Sequence, residues 1–314
     1  MDRKPVSVKS YANIAIVKYW GKADAERMIP STSSISLTLE NMYTETRLSF
    51  LPEDATGDVM YIDDELQGEK ETTKASKVLD LFRTNPNQHV KIETWNNMPT
   101  AAGLSSSSSG LSALVKAANE LFQVGKTQSE LAQIAKFASG SSSRSFFGPL
   151  AAWDKDSGEV YQVETDLKLA MIMLVLTDQK KPVSSRDGMK LCTETSTSFP
   201  EWIKQSEQDY KDMLGYLKAN DFQAVGELTE ANALRMHQTT STANPPFSYL
   251  TDASYQAMDK VKALRASGEQ CYFTMDAGPN VKVLCLEEDL DRLADHFRKD
   301  YQVIVSRTKE LPDA

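Results

Sequence analysis

The chain has 314 residues, enough for one large or two ordinary domains, because single hydrophobic cores usually stop growing near roughly 250 to 300 residues. Its 35 lysines and arginines against 44 aspartates and glutamates give a formal net charge of −9, which argues against broad binding to nucleic acid or to an anionic membrane. The longest strongly apolar run, residues 169–176, is too short to span a membrane, and three scattered cysteines predict buried free thiols, so we expect a cytoplasmic protein.

The first half of the chain alternates strand patterns with amphipathic helices. Residues 127–130 (TQSE) form a capping box that opens a helix, and Asp156-Ser157-Gly158 is a turn signal between two short strand patterns. In chain order we predict strands at 32–39, 44–50 and 59–62, a helix at 70–82, a strand at 90–94, helices at 111–122 and from 127 to Gly140, and a hairpin of 151–153 with 160–163.

The second half predicts a β-α-β-β-α-β order once a stretch of extra helices is set aside. The strand patterns lie at 169–177, 271–275, 281–286 and 302–306, and a helix pattern lies at 290–297. This order is typical of a ferredoxin-like lobe. We therefore predict an α+β protein of two lobes, with a mixed or antiparallel sheet and helices in the N-terminal one.

A serine-rich segment, residues 99–110 (PTAAGLSSSSSG), lies between a predicted strand and a predicted helix. It matches neither the Walker pattern nor the dinucleotide-binding glycine pattern. A helix N-terminus offers unpaired N–H groups and partial positive charge, so small side chains there favour binding of a phosphate. A flexible serine-rich linker is the alternative, although a tight strand-to-helix junction leaves little room for one.

Five segments resemble known sequences. The loop at 99–107 (PTAAGLSSS) is similar to the nucleotide loop of the GHMP kinase superfamily, and four more narrow the resemblance to its mevalonate diphosphate decarboxylase family: residues 13–22 (NIAIVKYWGK), 139–145 (SGSSSRS), 183–189 (VSSRDGM) and 275–280 (MDAGPN). The resemblance implies a two-lobed GHMP-kinase-like fold. We place an ATP-binding domain at residues 1–182 and a ferredoxin-like domain at residues 183–314.

The resemblance also implies a reaction. The 3-hydroxyl of mevalonate 5-diphosphate would take the γ-phosphoryl group of ATP and then lose phosphate and carbon dioxide, leaving isopentenyl diphosphate. Phosphorylation turns a poor leaving group into a good one, and its departure draws electrons from the carboxylate. ATP and Mg²⁺ are the implied cofactors, with no organic cofactor, and a homodimer is expected.

Catalytic roles follow from the same resemblance. Asp276 would act as base or orienting group for the 3-hydroxyl, Arg144 would bind the substrate carboxylate, and Lys18 would lie near the reacting groups. From pattern alone, Asp276 reads as a turn residue, Arg144 as a solvated arginine and Lys18 as a surface lysine. Further substrate-binding residues are implied to be Tyr19, Trp20, Gly21, Lys22, Lys74, Ser139, Gly140, Ser141, Ser142, Ser143, Ser185 and Arg186. Among these, Trp20 also fits simple core packing, and the serines also fit capping of local backbone groups.

On the nucleotide side, the resemblance implies ATP contacts from one asparagine and from the phosphate loop: Asn96, Gly103, Leu104, Ser105, Ser106, Ser107 and Ser108. The protein ligands of Mg²⁺ stay unknown at this level. His89, His237 and His296 share no metal-binding spacing, and we expect them to be structural or exposed.

Two other functions compete with this interpretation. A GHMP-type mevalonate or phosphomevalonate kinase would share the loop and the fold but stop after phosphoryl transfer. A non-catalytic ATP-binding regulator would keep the loop without the chemistry. The segments at 139–144 and 183–189 favour the decarboxylase over the kinase, and the joint presence of Asp276, Arg144 and Lys18 argues against the regulator.

Overall fold

One long strand organises the N-terminal lobe. The computed structural model describes residues 4–98, 106–177 and 182–311. The strands of this lobe are β1 Val6–Val17, β2 Lys22–Asp24, β3 Ile29–Pro30, β4 Ser34–Phe50, β5 Val59–Ile62, β6 Glu65–Leu66, β7 Val90–Asn96, β8 Leu150–Trp153 and β9 Val160–Gln162. Its helices are α1 Glu69–Leu79, α2 Ser106–Phe122, α3 Gln128–Ala138 and a 3-10 helix, Gly140–Phe146.

Strand β4 is long enough to serve three neighbours. On one edge it pairs antiparallel with β1 along nearly its whole length. On the other edge its second half pairs with β7 and its first half with β8. Because β5 runs parallel to β7, the sheet is mixed. The small ribbon of β2 and β3 lies apart from it.

Several predicted elements are confirmed here and three differ. The helix at 70–82, the capping box at Thr127 and the hairpin around 156–158 are present. The strands predicted at 32–39 and 44–50 are one strand, β4, because no turn interrupts them. Strand β1 was not predicted, since its first half is polar and partly exposed. The serine-rich segment at 139–145, for which no helix was predicted, lies mostly in a largely buried 3-10 helix.

The C-terminal lobe has the predicted ferredoxin-like order. Its strands β10 Leu169–Val175, β11 Cys271–Met275, β12 Val281–Leu286 and β13 Gln302–Arg307 form an antiparallel sheet in the order β11-β12-β10-β13. Its helices are α4 Ser185–Thr195, α5 Phe199–Lys218, α6 Phe222–Ser241, α7 Asp252–Ala266 and α8 Leu290–Arg298. Strand β10 precedes the boundary expected at 182/183 yet pairs with these strands; that boundary stays a prediction.

The two lobes share a hydrophobic core. Ile16 and Leu37 from the first sheet pack in one buried cluster with Met171 and Leu284 from the second and with Met213 of α5. The C-terminal segment crosses back as well, where the backbone N–H of Lys309 donates to the carbonyl of Thr38 at 2.8 Å. Across the described residues, no helix is long and apolar enough to cross a membrane.

Helix α6 lies against β11 so closely that a glycine is required at the contact. A Cβ added to Gly226 would lie 2.0 Å from the Tyr272 ring, whereas one added to Gly215 of α5 would meet nothing within 4 Å. We expect Gly226→Ala to lower the free energy of unfolding by about 1 to 3 kcal/mol. The matched Gly215→Ala variant should raise it by up to about 1 kcal/mol, because alanine favours helix. Denaturant unfolding checks both, and equal stability of the two variants would contradict the packing argument.

Candidate active site

Asp276 lies at the centre of a cluster of buried positive charge where the two lobes meet. It follows β11 directly, and 23% of its side chain stays exposed. Its Oδ1 accepts from Lys18 Nζ at 2.8 Å, and its Oδ2 forms an ion pair with Lys282 Nζ at 2.8 Å. Burial alone would raise the pKa of Asp276, but the two ammonium groups together hold it well below its usual range. The carboxylate is therefore ionised, and part of the side chain stays accessible to solvent.

Lys18 is buried, with 2% of the residue exposed. Its Nζ also donates to the carbonyl of Ala15 at 2.7 Å. Burial lowers the pKa of Lys18 to about 8, a shift that attraction to Asp276 only partly offsets. Lys18 is thus not the solvated surface lysine that the pattern alone would suggest.

Arg144 lies in the 3-10 helix and is also 2% exposed, which rules out a solvated arginine. Its Nη1 donates to Ser34 Oγ at 2.7 Å, its Nε to Ser36 Oγ at 3.0 Å and its Nη2 to Asn13 Oδ1 at 3.3 Å. Burial lowers the pKa of Arg144 to about 10, which leaves it charged at neutral pH. Since its hydrogen-bond partners in the described part of the chain are neutral, the guanidinium carries a charge that no carboxylate contacts.

The 3-10 helix brings the predicted serines next to this arginine. A Cβ on Gly140 would lie 2.9 Å from both Tyr19 and Trp153, so only glycine fits there. Ser143 Oγ donates to the Gly140 carbonyl at 2.8 Å and is fully buried, which makes it a local cap. Ser139 and Ser141 are half-buried, with their hydroxyls 3.3 Å apart, and remain accessible. The fully buried Ser142 lies 3.4 Å from the carbonyl of Ser107 and so links this helix to α2.

The segment from Tyr19 to Lys22 lies beside the cluster. The Tyr19 hydroxyl is buried with no hydrogen-bond partner among the described residues, and burial raises its pKa to about 12. Trp20 is 2% exposed and its indole N–H donates to Thr239 at 2.9 Å, as expected for core packing. Gly21 has φ +114, which favours glycine. Lys22 is half-buried, and its pKa is lowered by burial and by nearby Arg186.

Three predicted residues are more exposed than the buried charges. Arg186, in the first turn of α4, is exposed but close enough to act electrostatically on Tyr19 and Lys22. Ser185 opens the same helix. Lys74 is exposed on α1 and forms an ion pair with Glu71 at 2.8 Å instead of joining the cluster.

The nucleotide side is only partly described. Gly103, Leu104 and Ser105 lie outside the described residues, and α2 begins at Ser106, whose side chain is likewise not described. Ser107 is exposed and Ser108 is buried in the first turn of α2. Asn96 ends β7, and its Oδ1 accepts from Thr44 Oγ1 at 2.7 Å, while that hydroxyl also lies 2.7 Å from Ser109 Oγ. Asn96 is therefore linked to the start of α2.

The side chains of this site suit a metal ion that arrives already bound to a substrate. Within 4–98, 106–177 and 182–311, no group of three or more acidic, histidine or cysteine side chains converges to hold a metal ion. The Asp276 carboxylate already forms ion pairs with the ammonium groups of Lys18 and Lys282, which disfavours its use as a metal ligand. His237 is buried nearby, and burial, with repulsion from Lys18, lowers its pKa to about 4, so it is neutral. A divalent ion arriving on a polyphosphate would keep most of its ligands from that polyphosphate.

Sequence reasoning missed Lys282 and Asn13 as parts of this site. Lys282 is 1% exposed in the middle of the apolar strand β12, and a lysine inside such a run is a usable signal of a buried ion pair. Asn13 donates its amide to the Ser141 carbonyl at 2.9 Å and to Ser145 Oγ at 2.7 Å while it accepts from Arg144. No pattern in β1 indicated that contact, because it joins residues more than 120 positions apart.

Known proteins match the chain over its whole length. Residues 10–163 match the diphosphomevalonate decarboxylase-like N-terminal domain, and residues 171–312 match the mevalonate 5-diphosphate decarboxylase C-terminal domain. The Candida albicans diphosphomevalonate decarboxylase is 30% identical, over 94% of this chain and 88% of that protein.

Solved structures agree with these matches. The mevalonate pyrophosphate decarboxylase of Streptococcus pyogenes is 67% identical with a TM-score of 0.97, covering 100% of this chain and 99% of that one. MDDEF, solved in complex with MVAPP, AMPPCP and magnesium, is 40% identical with a TM-score of 0.90 over 98% of each chain. The chain belongs to the mevalonate diphosphate decarboxylase family, with the fold of GHMP-type kinases.

Proposed function

We propose that the protein catalyses the ATP-dependent decarboxylation of (R)-mevalonate 5-diphosphate to isopentenyl diphosphate, with release of ADP, phosphate and carbon dioxide, in the mevalonate pathway of isoprenoid biosynthesis. The observation that carries the proposal is a charge imbalance. Lys18, Lys282 and Arg144 are buried around the single carboxylate of Asp276. Such a site is completed by an anionic ligand, and the substrate carries both a carboxylate and a diphosphate.

Asp276 orients the 3-hydroxyl of the substrate. A carboxylate whose pKa lies far below its usual range is a weak base, so it accepts a hydrogen bond first and takes the proton as the oxygen becomes phosphorylated. Lys18 and Lys282 keep that carboxylate ionised, and Lys18 offsets the charge that develops on the transferred phosphoryl group. Departure of the new phosphate then breaks the C3–O bond, and cleavage of C1–C2 supplies the electrons of the C2=C3 double bond.

Arg144 binds the substrate carboxylate. Its fork is fixed by Ser34, Ser36 and Asn13, so its charge is presented with little loss of side-chain entropy. Ser139, Ser141 and the backbone of 140–143 border the same end of the substrate. Tyr19, Gly21, Lys22, Lys74, Ser185 and Arg186 would bind the diphosphate and Trp20 would support them from the core.

ATP lies at the start of α2. Residues 103–108 bind its phosphates and Asn96 lies near its base or ribose, while Mg²⁺ enters as MgATP and neutralises phosphate charge. The relative solved with MVAPP, AMPPCP and magnesium supports this pair of substrates and this metal. The link from Asn96 through Thr44 to Ser109 supports placing them at one end of the helix.

The deciding experiment supplies ATP, Mg²⁺ and mevalonate 5-diphosphate, and follows ADP and carbon dioxide in the same reaction. We expect the two products in equal amounts. ADP without carbon dioxide would favour the alternative, a GHMP-type mevalonate or phosphomevalonate kinase, and binding of ATP without ADP formation would favour a regulator.

The pH dependence of kcat/KM should reflect the ionisation of the Lys18 ammonium group. Because its pKa in the free enzyme is about 8, the ammonium is charged below that pH and neutral above it, whereas Asp276 stays ionised on both sides. We therefore expect kcat/KM for mevalonate 5-diphosphate to fall as pH rises through about 8. Lys18→Arg should move this limb to higher pH, since arginine keeps its charge.

A second buried lysine provides the control for that profile. Burial also lowers the pKa of Lys116, to about 8, but this residue contacts Ser10 and the Ser145 carbonyl instead of Asp276. Lys116→Met should leave the alkaline limb in place. A limb that stays near pH 8 in Lys18→Arg, or that vanishes in Lys116→Met, would exclude Lys18 as its source.

We also propose that the chain divides into two domains, residues 1–182 and 183–314. We further propose that the protein is cytoplasmic and forms a homodimer. The three cysteines are buried free thiols, as expected in a reducing compartment. Sedimentation equilibrium tests the dimer.

A further inference from the structure

Asn232 connects helix α6 to the backbone of Lys18. Its Oδ1 accepts from the Lys18 backbone N–H at 2.8 Å, and Asn232 is fully buried. Lys18 follows the last residue of β1, so this side chain satisfies an N–H beyond the end of the strand. The contact joins positions 214 residues apart and crosses from the C-terminal lobe to the N-terminal lobe.

Asp209 of α5 fixes which way the Asn232 amide points. Its Oδ2 accepts from Asn232 Nδ2 at 2.8 Å, and Asp209 is 1% exposed. A carboxylate can only accept, so it draws the amide nitrogen and leaves the amide oxygen for Lys18. Gln205 and Arg235 also donate to Asp209, which compensates its charge.

Lys18 is held on both sides of its backbone. Its carbonyl accepts from Thr32 Oγ1 at 3.1 Å, opposite the N–H that Asn232 binds. From that fixed backbone, Nζ reaches Ala15 O at 2.7 Å and Asp276 Oδ1 at 2.8 Å. Movement of the Lys18 backbone would therefore carry the ammonium away from the Asp276 carboxylate.

We propose that Asp209 and Asn232 are positioning residues for the reaction, which act by holding Lys18 in register with Asp276. The inference rests on the proposed function and adds residues that contact neither substrate nor reacting atoms. Their effect passes through one side chain, and this is the feature that separates it from a general effect on folding.

A double-mutant cycle tests the inference. ADP formation is measured in a single turnover with enzyme in excess, so that slow variants stay measurable. In the otherwise wild-type enzyme, we expect Asn232→Leu to lower the rate at least about tenfold, because misplacement of a reacting group by about 1 Å can cost about 100-fold. In a Lys18→Met background, the same substitution should cost less than about twofold, since coupled residues are not additive. A smaller loss in the wild-type background, or a loss above about twofold in the Lys18→Met background, overturns the proposal.

Two further variants keep the result interpretable. Asp209→Asn retains the side-chain shape and permits the Asn232 amide to flip, so it repeats the cycle if Asn232→Leu fails to fold. Thr229→Val is the matched control, because Thr229 is fully buried on the same helix and its hydroxyl donates to the Val225 carbonyl, within α6 itself. It should leave the rate unchanged in both backgrounds. Absence of carbon dioxide from the wild-type enzyme would refute the proposed function, whereas an active wild type without coupling refutes only this inference.

Discussion

Replacement of Asp276 by asparagine is expected to lower turnover about 1,000-fold, which is within the range of general-base and charge-orienting groups, while MgATP still binds. Asparagine keeps the shape but cannot take a proton, and it removes the carboxylate that pairs with both Lys18 and Lys282. Carbon dioxide release at saturating substrates measures turnover, and titration with MgATP measures binding. Asp276→Ala should show the same separation of turnover from binding.

The same substitution should destabilise the fold, and this has to be measured separately. Removing one partner of a buried ion pair costs about 3 to 5 kcal/mol, an upper limit here because Asp276 keeps 23% of its side chain exposed. Rates must therefore be normalised to folded protein. Asp295→Asn, at an exposed carboxylate on α8, is the control and should leave both properties unchanged. Near-normal turnover of folded Asp276→Asn would show that this carboxylate has another role.

Exchange of Arg144 for lysine is expected to lower kcat/KM for mevalonate 5-diphosphate about 100-fold and to change the KM for ATP little. The positive charge survives, but a lysine cannot bond Ser34, Ser36 and Asn13 at once while it presents a planar fork to a carboxylate. Steady-state kinetics with each substrate varied in turn separates the two effects.

A second buried arginine gives the control for that exchange. Arg83 is 5% exposed in its side chain and pairs with Asp58 through two nitrogens. Arg83→Lys should lower stability and leave both KM values unchanged. If Arg144→Lys behaves as Arg83→Lys does, Arg144 supports the fold and does not bind the substrate carboxylate.

The sequence predicted the elements whose signals are local. The capping box at Thr127, the turn at Asp156-Ser157-Gly158 and the helix at 290–297 depend on residues a few positions apart, and all are present. Strand β1 was not predicted, because the side chains of its first half are polar or partly exposed. Its partner strand, β4, belongs to a later segment of the chain. Burial of the Ser139–Ser145 segment has a similar cause, since its packing against Tyr19 and Trp153 is tertiary.

For the candidate site, the family motifs pointed to individual side chains, and the structure shows which residues those side chains contact. Asp276 and Lys18 come from two motifs, but their 2.8 Å contact spans 258 positions. Lys282 belongs to no quoted motif and emerged only from the pairing of β11 with β12. Asn232 and Asp209 are polar positions on amphipathic helices, where nothing in the spacing separates a buried polar pair from a solvated one.

The division of charge between the lobes has a consequence for synthesis on the ribosome. Lys18 and Arg144 belong to the first half of the chain, whereas Asp276 and Lys282 emerge only near its end. Until then, a nascent N-terminal lobe lacks the carboxylate that pairs with Lys18, which disfavours burial of that ammonium group. The Lys18–Asp276–Lys282 cluster can therefore form only when translation is almost complete, so we expect it to assemble late in folding.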